Sequence, residues 1–228
     1  MKQLFAAIAK NIILTLVADS DRLRILAYRP MLETWRNDNK GKYPIFNDRK
    51  EMYRYINNDI IKNQAIAYLE FGVFKGDSIK YFASINTTAE STFVGFDTFT
   101  GLPEDWVEFS RTVETNTFDT GGNFPKIDDN RISFQKGMFQ ETLPDFLKKY
   151  QAGKQLVIHN DSDLFSSTLY VLSYLNEIMV PGTIVIFDEF YSVMHEYRAL
   201  EDFCSAYMRK YEVLAATTKE LQVVIRFL

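Results

Sequence analysis

The sequence predicts an α/β fold: a Rossmann-like, doubly wound and mostly parallel seven-stranded sheet, with a C-terminal antiparallel hairpin and an N-terminal helical cover. Three observations carry this. From Ala65 onward short apolar runs alternate with helix-length stretches, a glycine-rich turn follows the first run, and the last two runs are separated by only a few residues. Repeated β-α alternation gives a parallel sheet because each crossover returns the chain to the edge where the preceding strand began. A chain of 228 residues buries roughly 70% of its unfolded surface, so it folds without a metal or disulfide staple. Residues 1–62 read as the cover and 63–228 as the catalytic domain, the two forming one compact unit.

Taken in order, Phe5, Ile8, Ile12 and Leu16 fall at helical spacing and mark an amphipathic helix that packs on the domain or on a partner subunit. Its apolar run from Ile12 to Ala18 is far shorter than the roughly 20 residues a membrane span needs, and Asp19-Ser20-Asp21 stands where a signal peptide would have a small-residue cleavage site. A second helix starts near Asp21, and Lys40 to Tyr43 reads as a loop. Asp48, with Glu51 three positions later, fits a capping box that opens a helix through about Ile61. Ala65 to Phe71, Thr92 to Phe96, Arg131 to Gln135, Gln155 to His159 and Thr183 to Phe187 are strand candidates. Tyr211 to Ala215 and Leu221 to Phe227 are two more, joined by too short a link for a crossover helix and therefore antiparallel. The aperiodic stretch from Arg111 to Asn130, containing Gly121, Gly122 and Pro125, reads as a lid or substrate loop.

Composition removes several function classes. The 26 basic against 30 acidic residues leave a net charge of -4, the wrong sign for binding a phosphate backbone, so nucleic acid is not expected as a partner. One cysteine, Cys204, excludes an intrachain disulfide framework and a Cys-based zinc site, which suggests a reducing, cytoplasmic setting. Two histidines, His159 and His195, exclude a multi-histidine metal site, so any metal has to be held mainly by carboxylates. His195 and Cys204 read as structural.

The segment from Leu69 to Ser78 places Glu70 at a strand end, then Gly72 and Gly76, then Asp77 and Ser78 at a helix start. The glycines let backbone approach a ligand closely and the helix start offers free N–H groups. A pyrophosphate binder favours G-x-G-x-x-G; here the spacing is G-x-x-x-G, and Glu70 would repel a diphosphate while attracting an ammonium. Asp97, 21 residues after Gly76, ends the next strand, about where such sheets place the acid that binds ribose hydroxyls. Adenosine with an amino acid tail is S-adenosylmethionine. The plain alternative is a tight turn followed by an unrelated loop acid.

Glu70-Phe71-Gly72-Val73-Phe74-Lys75-Gly76-Asp77-Ser78, followed by Gly95-Phe96-Asp97-Thr98-Phe99-Thr100-Gly101-Leu102-Pro103-Glu104, resembles the macrocin O-methyltransferase family of class I S-adenosylmethionine enzymes. The likeness runs from about Arg49 to the C-terminus. It implies methylation of sugar hydroxyls on a glycan or small-molecule glycoside, with a divalent metal. It also implies a cofactor site that includes Thr98, Phe99, Gly137, Met138 and Phe139, with Tyr53 in the cover helix close to the cofactor. For the Tyr53 and Phe139 rings the competing reading is ordinary core packing.

Two acidic phrases, Asn160-Asp161-Ser162-Asp163 and Phe187-Asp188-Glu189, follow successive strands and converge at the carboxyl edge of the sheet, where doubly wound folds bind ligands. Oxygen-only ligand sets suit Mg²⁺, Ca²⁺ or Mn²⁺. The resemblance implies Asp161, Asp188 and Glu189 as metal ligands, Mg²⁺ or Mn²⁺ as the ion, and Asp163 as a further ligand or a helix cap. Glu189 departs from the family's second Asp by one methylene. Asp161 is the expected base, with His159 either a satisfied inward histidine or an alternative base. Two rivals are a metal-dependent glycosyltransferase using D-x-D and a catalytically lapsed partner subunit. A homodimer formed through the first helix is the expected assembly.

Overall fold

Seven of the apolar runs do form strands, and they set the frame of the molecule. The structure, a computed structural model, describes residues 6–8, 10–14, 21–108 and 111–228. Residues 6–8 and 10–14 are helical, with Ile8 and Ile12 exposed; Phe5 and Leu16 lie outside the described residues. The helix α1 spans Asp21–Asn39 and is followed by the short strand β1, Ile45–Phe46. The helix α2, Arg49–Tyr55, is capped by Asp48, whose carboxylate accepts from the Lys50 N–H. It continues as a six-residue π-helical turn, Ile56–Ile61, where an unbroken α-helix was expected. That turn is pinned by Asn57, which accepts from Asn86 Nδ2 at 2.9 Å and donates to the Ile85 carbonyl at 3.0 Å.

The α/β alternation follows: β2 Ile66–Phe71, α3 Asp77–Ile85, β3 Thr92–Asp97, the small strands β4 Trp106–Val107 and β5 Thr112–Val113, then β6 Ile132–Lys136. After these come α4 Phe139–Leu147, β7 Gln155–Asn160, α5 Phe165–Leu175, β8 Ile184–Phe187, α6 Glu196–Ala206, β9 Tyr211–Thr217 and β10 Val223–Phe227. The main sheet runs β1-β9-β10-β8-β7-β2-β3-β6. It has one strand more than the expected seven, because β1 adds in parallel to β9 at the edge. β10 lies antiparallel between β8 and β9, and all other neighbours are parallel. β4 and β5 form a separate antiparallel hairpin.

Strand periodicity assigns the two faces. Ala67, Leu69 and Phe71 of β2 join Val185 and Phe187 of β8 in one apolar cluster with Ile25, Leu32 and Trp35 of α1 and the inner faces of α5 and α6. Ile66 and Tyr68 point the other way, with Val157, Ile184 and Ile186, into a second cluster with Met52 and Tyr53 of α2 and Ile79 and Phe82 of α3. The N-terminal helices therefore clamp both faces of the sheet. At Gly95 an added Cβ would meet Val73 Cγ2 at 2.6 Å, so the glycine turn can lie across the end of β3 only because that side chain is missing.

Candidate active site

The carboxyl ends of β2, β3, β7 and β8 open on one cavity of about 330 Å³. Its walls include Gly72, Asp97 and Thr98 from the first two strand ends, and Met138 and Phe139 where α4 begins. The same walls carry Asp161, Asp163, Asp188 and Glu189. The two acidic phrases thus meet in space although 27 residues separate Asp161 from Asp188 in the chain.

Gly72 makes this convergence possible. Its φ is +89°, and a Cβ there would fall 1.8 Å from the Asp161 carbonyl oxygen, so the glycine turn and the first acidic loop touch backbone to backbone. Asp97 organises the turn: Oδ2 accepts from the Val73 and Phe74 N–H groups at 2.7 and 2.8 Å, and Oδ1 accepts from the Phe99 N–H at 2.6 Å. Phe74, with φ at 50°, holds a left-handed conformation that these bonds stabilise.

Several expected cofactor residues do not reach the cavity. Glu70 is fully buried; its carboxylate accepts from Ser78 Oγ at 2.9 Å and from Tyr68 OH at 2.8 Å, and lies 3.1 Å from His159 Nδ1. Strand parity explains the difference, since Glu70 shares the Tyr68 face of β2 and turns under α2 and α3. Ser78 is held in the same network. Gly76 is covered by Pro125 and Ile127 of the long loop, and Phe99 is buried beneath the site. Gly137, with φ at +141°, makes the turn into α4 beside the cavity without lining it.

Tyr53 also stands behind the site. Its hydroxyl donates to Asp188 Oδ1 at 3.2 Å and lies 3.3 Å from His159 Nε2. A buried chain therefore runs Glu70, His159, Tyr53 and Asp188, and Arg49 at the start of α2 closes it with a 3.2 Å contact to Asp188 Oδ2. Burial pulls the His159 pKa down, but its hydrogen bonds to Asp188 and Glu70 outweigh that and raise it to about 10. Both ring nitrogens are thus engaged within the protein, Nδ1 with Glu70 and Tyr68 and Nε2 with Tyr53 and Asp188. Burial would raise the Asp188 carboxyl, yet His159, Arg49 and Tyr53 hold it below the usual range.

The other three acids are pushed the opposite way. Burial, then the charge of Asp188, raises Asp161 well above the ordinary carboxylate range, and burial with Glu189 does the same to Asp163. Burial and Asp188 lift Glu189 to about 7. Asp163 does not cap α5: it sits at φ +60° and Leu164 occupies the cap position. Atoms of His159, Asp161 and Asp188 suited to metal ligation lie within 4.8 Å of one another.

Sequence reasoning missed Arg49, Arg111, Trp106 and Phe118, all of which line the cavity. Arg111 stacks on the Trp106 ring at 5.0 Å. It also missed Glu196, fully buried, which accepts from the Glu189 N–H at 2.9 Å and from Asn160 Nδ2 at 2.9 Å and so fixes both acidic loops. The long loop does border the site. Phe118 lines the cavity, and the Gly122 N–H donates to the Phe99 carbonyl at 2.8 Å. His195 precedes α6 rather than lying within it, and its Nε2 is 3.1 Å from the Val107 carbonyl.

No curated protein sequence matches the chain. Among solved structures, the calicheamicin methyltransferase CalS11 is similar at 21% identity, covering 78% of this chain and 77% of its own, with a TM-score of 0.57. The O-methyltransferase NovP is similar at 21% identity, 78% of each chain and a TM-score of 0.59. An O-methyltransferase from Bacillus cereus in complex with SAH covers 94% of this chain and 96% of its own at 14% identity and a TM-score of 0.53. These likenesses establish the fold. Residues 45–214 match the macrocin-O-methyltransferase (TylF) family, a span that holds the glycine turn, Asp97 and both acidic phrases. The chain belongs to the macrocin-O-methyltransferase family and is an S-adenosylmethionine-dependent O-methyltransferase.

Proposed function

We propose that the chain methylates a sugar hydroxyl with the help of a divalent cation, Mg²⁺ or Mn²⁺, held by Asp161, Asp163, Asp188 and Glu189. The observation that carries this reading is that those four acids line one cavity together with Gly72, Asp97 and Thr98. The donor set suits such an ion: carboxylate oxygens of Asp161 and Asp188 lie within 4.8 Å of each other, and the upward shifts of Asp161, Asp163 and Glu189, caused first by burial and then by neighbouring carboxylates, are ones a bound cation offsets. A bound cation there supplies a lower pKa for the acceptor hydroxyl. CalS11, similar in fold, is a TDP-rhamnose 3'-O-methyltransferase, which supports a sugar as the acceptor.

S-adenosylmethionine supplies an electrophilic methyl group. Gly72, Thr98, Met138 and Phe139 receive the cofactor, and Asp97 both holds the turn and offers its remaining lone pairs to the ribose. Asp161, one of the cavity acids, takes the hydroxyl proton in this reading. His159 and Tyr53 keep Asp188 ionised and in place, and Arg49 balances the charge. The face at Ile8 and Ile12, exposed in the single chain, supports a homodimer. No helix among the described residues is long and apolar enough to cross a membrane, and we place the protein in the cytoplasm on the strength of its single cysteine.

Calorimetry with S-adenosylhomocysteine, together with methyl transfer from labelled cofactor to a glycoside acceptor with and without chelator, tests the reading. Binding of S-adenosylhomocysteine and chelator-sensitive transfer restored by Mg²⁺ or Mn²⁺ are expected. Full activity after exhaustive chelation would remove the metal, and failure to bind S-adenosylhomocysteine would remove the cofactor site.

A further inference from the structure

A second cavity, about 700 Å³, lies behind the β4–β5 hairpin, between α1, the loop after β8 and the turn after β9. The hairpin is a partition between the two cavities: Trp106 of β4 lines the first and its neighbour Val107 the second, as the alternation of a strand dictates. The loop after β8 does the same, with Glu189 in the first cavity and Tyr191 in the second. The wall contributed by α1 is a single stripe, Ile25, Arg29, Leu32 and Arg36, spaced four, three and four residues apart.

The cavity wall carries three cationic side chains, Arg29, Arg36 and Lys219, and two carboxylates, Glu108 and Glu220. Arg36 donates to Glu220 Oε2 at 2.7 Å, to Glu33 Oε1 at 2.7 Å and to the Lys219 carbonyl at 2.9 Å, so its charge is shared between two carboxylates. Glu108 accepts from Trp106 Nε1 at 3.0 Å and from Ser192 Oγ. Among the described residues neither Arg29 nor Lys219 has a side-chain partner, and both are exposed at the cavity wall. Lys219 is presented by a residue at φ 64°, in a turn that Arg36 ties to α1. Two unpaired cations over an apolar floor of Ile25, Leu32 and Val193 favour a multiply charged anion attached to an organic body.

We propose that this cavity takes the phosphate-bearing part of the acceptor, so that the substrate is a phosphorylated or nucleoside-diphosphate-linked sugar whose hydroxyl is placed in the first cavity, on the other side of the β4–β5 hairpin. The inference rests on the proposed methyl transfer for its direction. Its own content is anion binding by Arg29 and Lys219.

The test is calorimetric titration of thymidine diphosphate, and separately of inorganic phosphate, into the full chain loaded with S-adenosylhomocysteine. Divalent metal is left out so that the carboxylate cavity has no cation to attract the anion. Thymidine diphosphate is expected to bind, inorganic phosphate to compete with it more weakly, and the R29Q/K219Q double variant to lose roughly tenfold or more in diphosphate affinity. S-adenosylhomocysteine affinity should stay unchanged in that variant, whose two positions are exposed and away from the first cavity. Equal diphosphate affinity in wild type and variant, or competition between diphosphate and S-adenosylhomocysteine, would overturn the inference. If S-adenosylhomocysteine itself fails to bind, the methyl-transfer reading falls instead, and the diphosphate titration of the unloaded chain still decides this one.

Discussion

Asp97→Ala removes the acceptor on which three backbone N–H groups converge, those of Val73, Phe74 and Phe99. Bonds to an ionised acceptor are worth about 1.5–3 kcal/mol each. Water from the adjoining cavity can replace part of what is lost, so the net destabilisation is nearer one such bond than three, about 2–3 kcal/mol. In a chain of this size about 1 kcal/mol moves Tm by about 2–4 °C, giving a fall of about 4–12 °C. Cofactor affinity falls as well, because the ribose acceptor disappears and Phe74 is no longer held in its left-handed conformation. A loss of about 3 kcal/mol there corresponds to roughly a hundredfold weaker S-adenosylhomocysteine binding. Thermal melts with and without S-adenosylhomocysteine, paired with calorimetry, measure both. Asp97→Asn separates the roles: it keeps the volume, but its amide nitrogen cannot accept from Val73 and Phe74. A variant with wild-type Tm and wild-type affinity would refute the assignment of Asp97 as the post of the turn.

Gly72→Ala should yield little folded protein, since its Cβ would overlap the Asp161 carbonyl at 1.8 Å; soluble yield and circular dichroism check this, and a stable variant would mean that the loops separate easily. Glu189, raised by burial to about 7, binds its proton more tightly folded than unfolded, so its contribution to stability is full below about pH 4.5 and is lost as pH rises through 7. Melts of the metal-free protein should therefore show a decline across that window that Glu189→Gln flattens; an unchanged profile would place Glu189 in water. Deleting residues 1–20 should convert a homodimer into a monomer by light scattering, and a truncated protein that remains dimeric would move the interface elsewhere.

The strands were legible where burial on both faces leaves an uninterrupted apolar run, as in Ile66 to Leu69 and Ile184 to Phe187. β1 was not, because two residues carry no period and form a strand only by pairing with β9. The convergence of Asp161 and Asp188 could be read from topology, since neighbouring parallel strands end at the same edge. The place of Glu70 could not: alternation puts it on the same face as Tyr68, but nothing in one strand says which face meets the ligand. Arg49 was illegible for a related reason, as its contact with Asp188 spans 139 residues and depends on how α2 crosses the strand ends.

The insertion of β10 between β8 and β9 also constrains the order in which the sheet can be completed. β8 and β9 both precede in the chain the strand that joins them, and neither has the other as a ladder neighbour. Until β10 arrives, the backbone groups of Ile184–Phe187 facing that gap have only water as partners, while the half formed by β2, β3, β6 and β7 already has its own ladders. The nascent chain thus carries an open apolar slot whose natural occupant is synthesised after it, and any foreign strand of similar pattern can compete for that slot. Chains truncated between β9 and β10 should therefore be the aggregation-prone ones, and the closing of this slot, with its non-local pairing to β8, the slow step of folding.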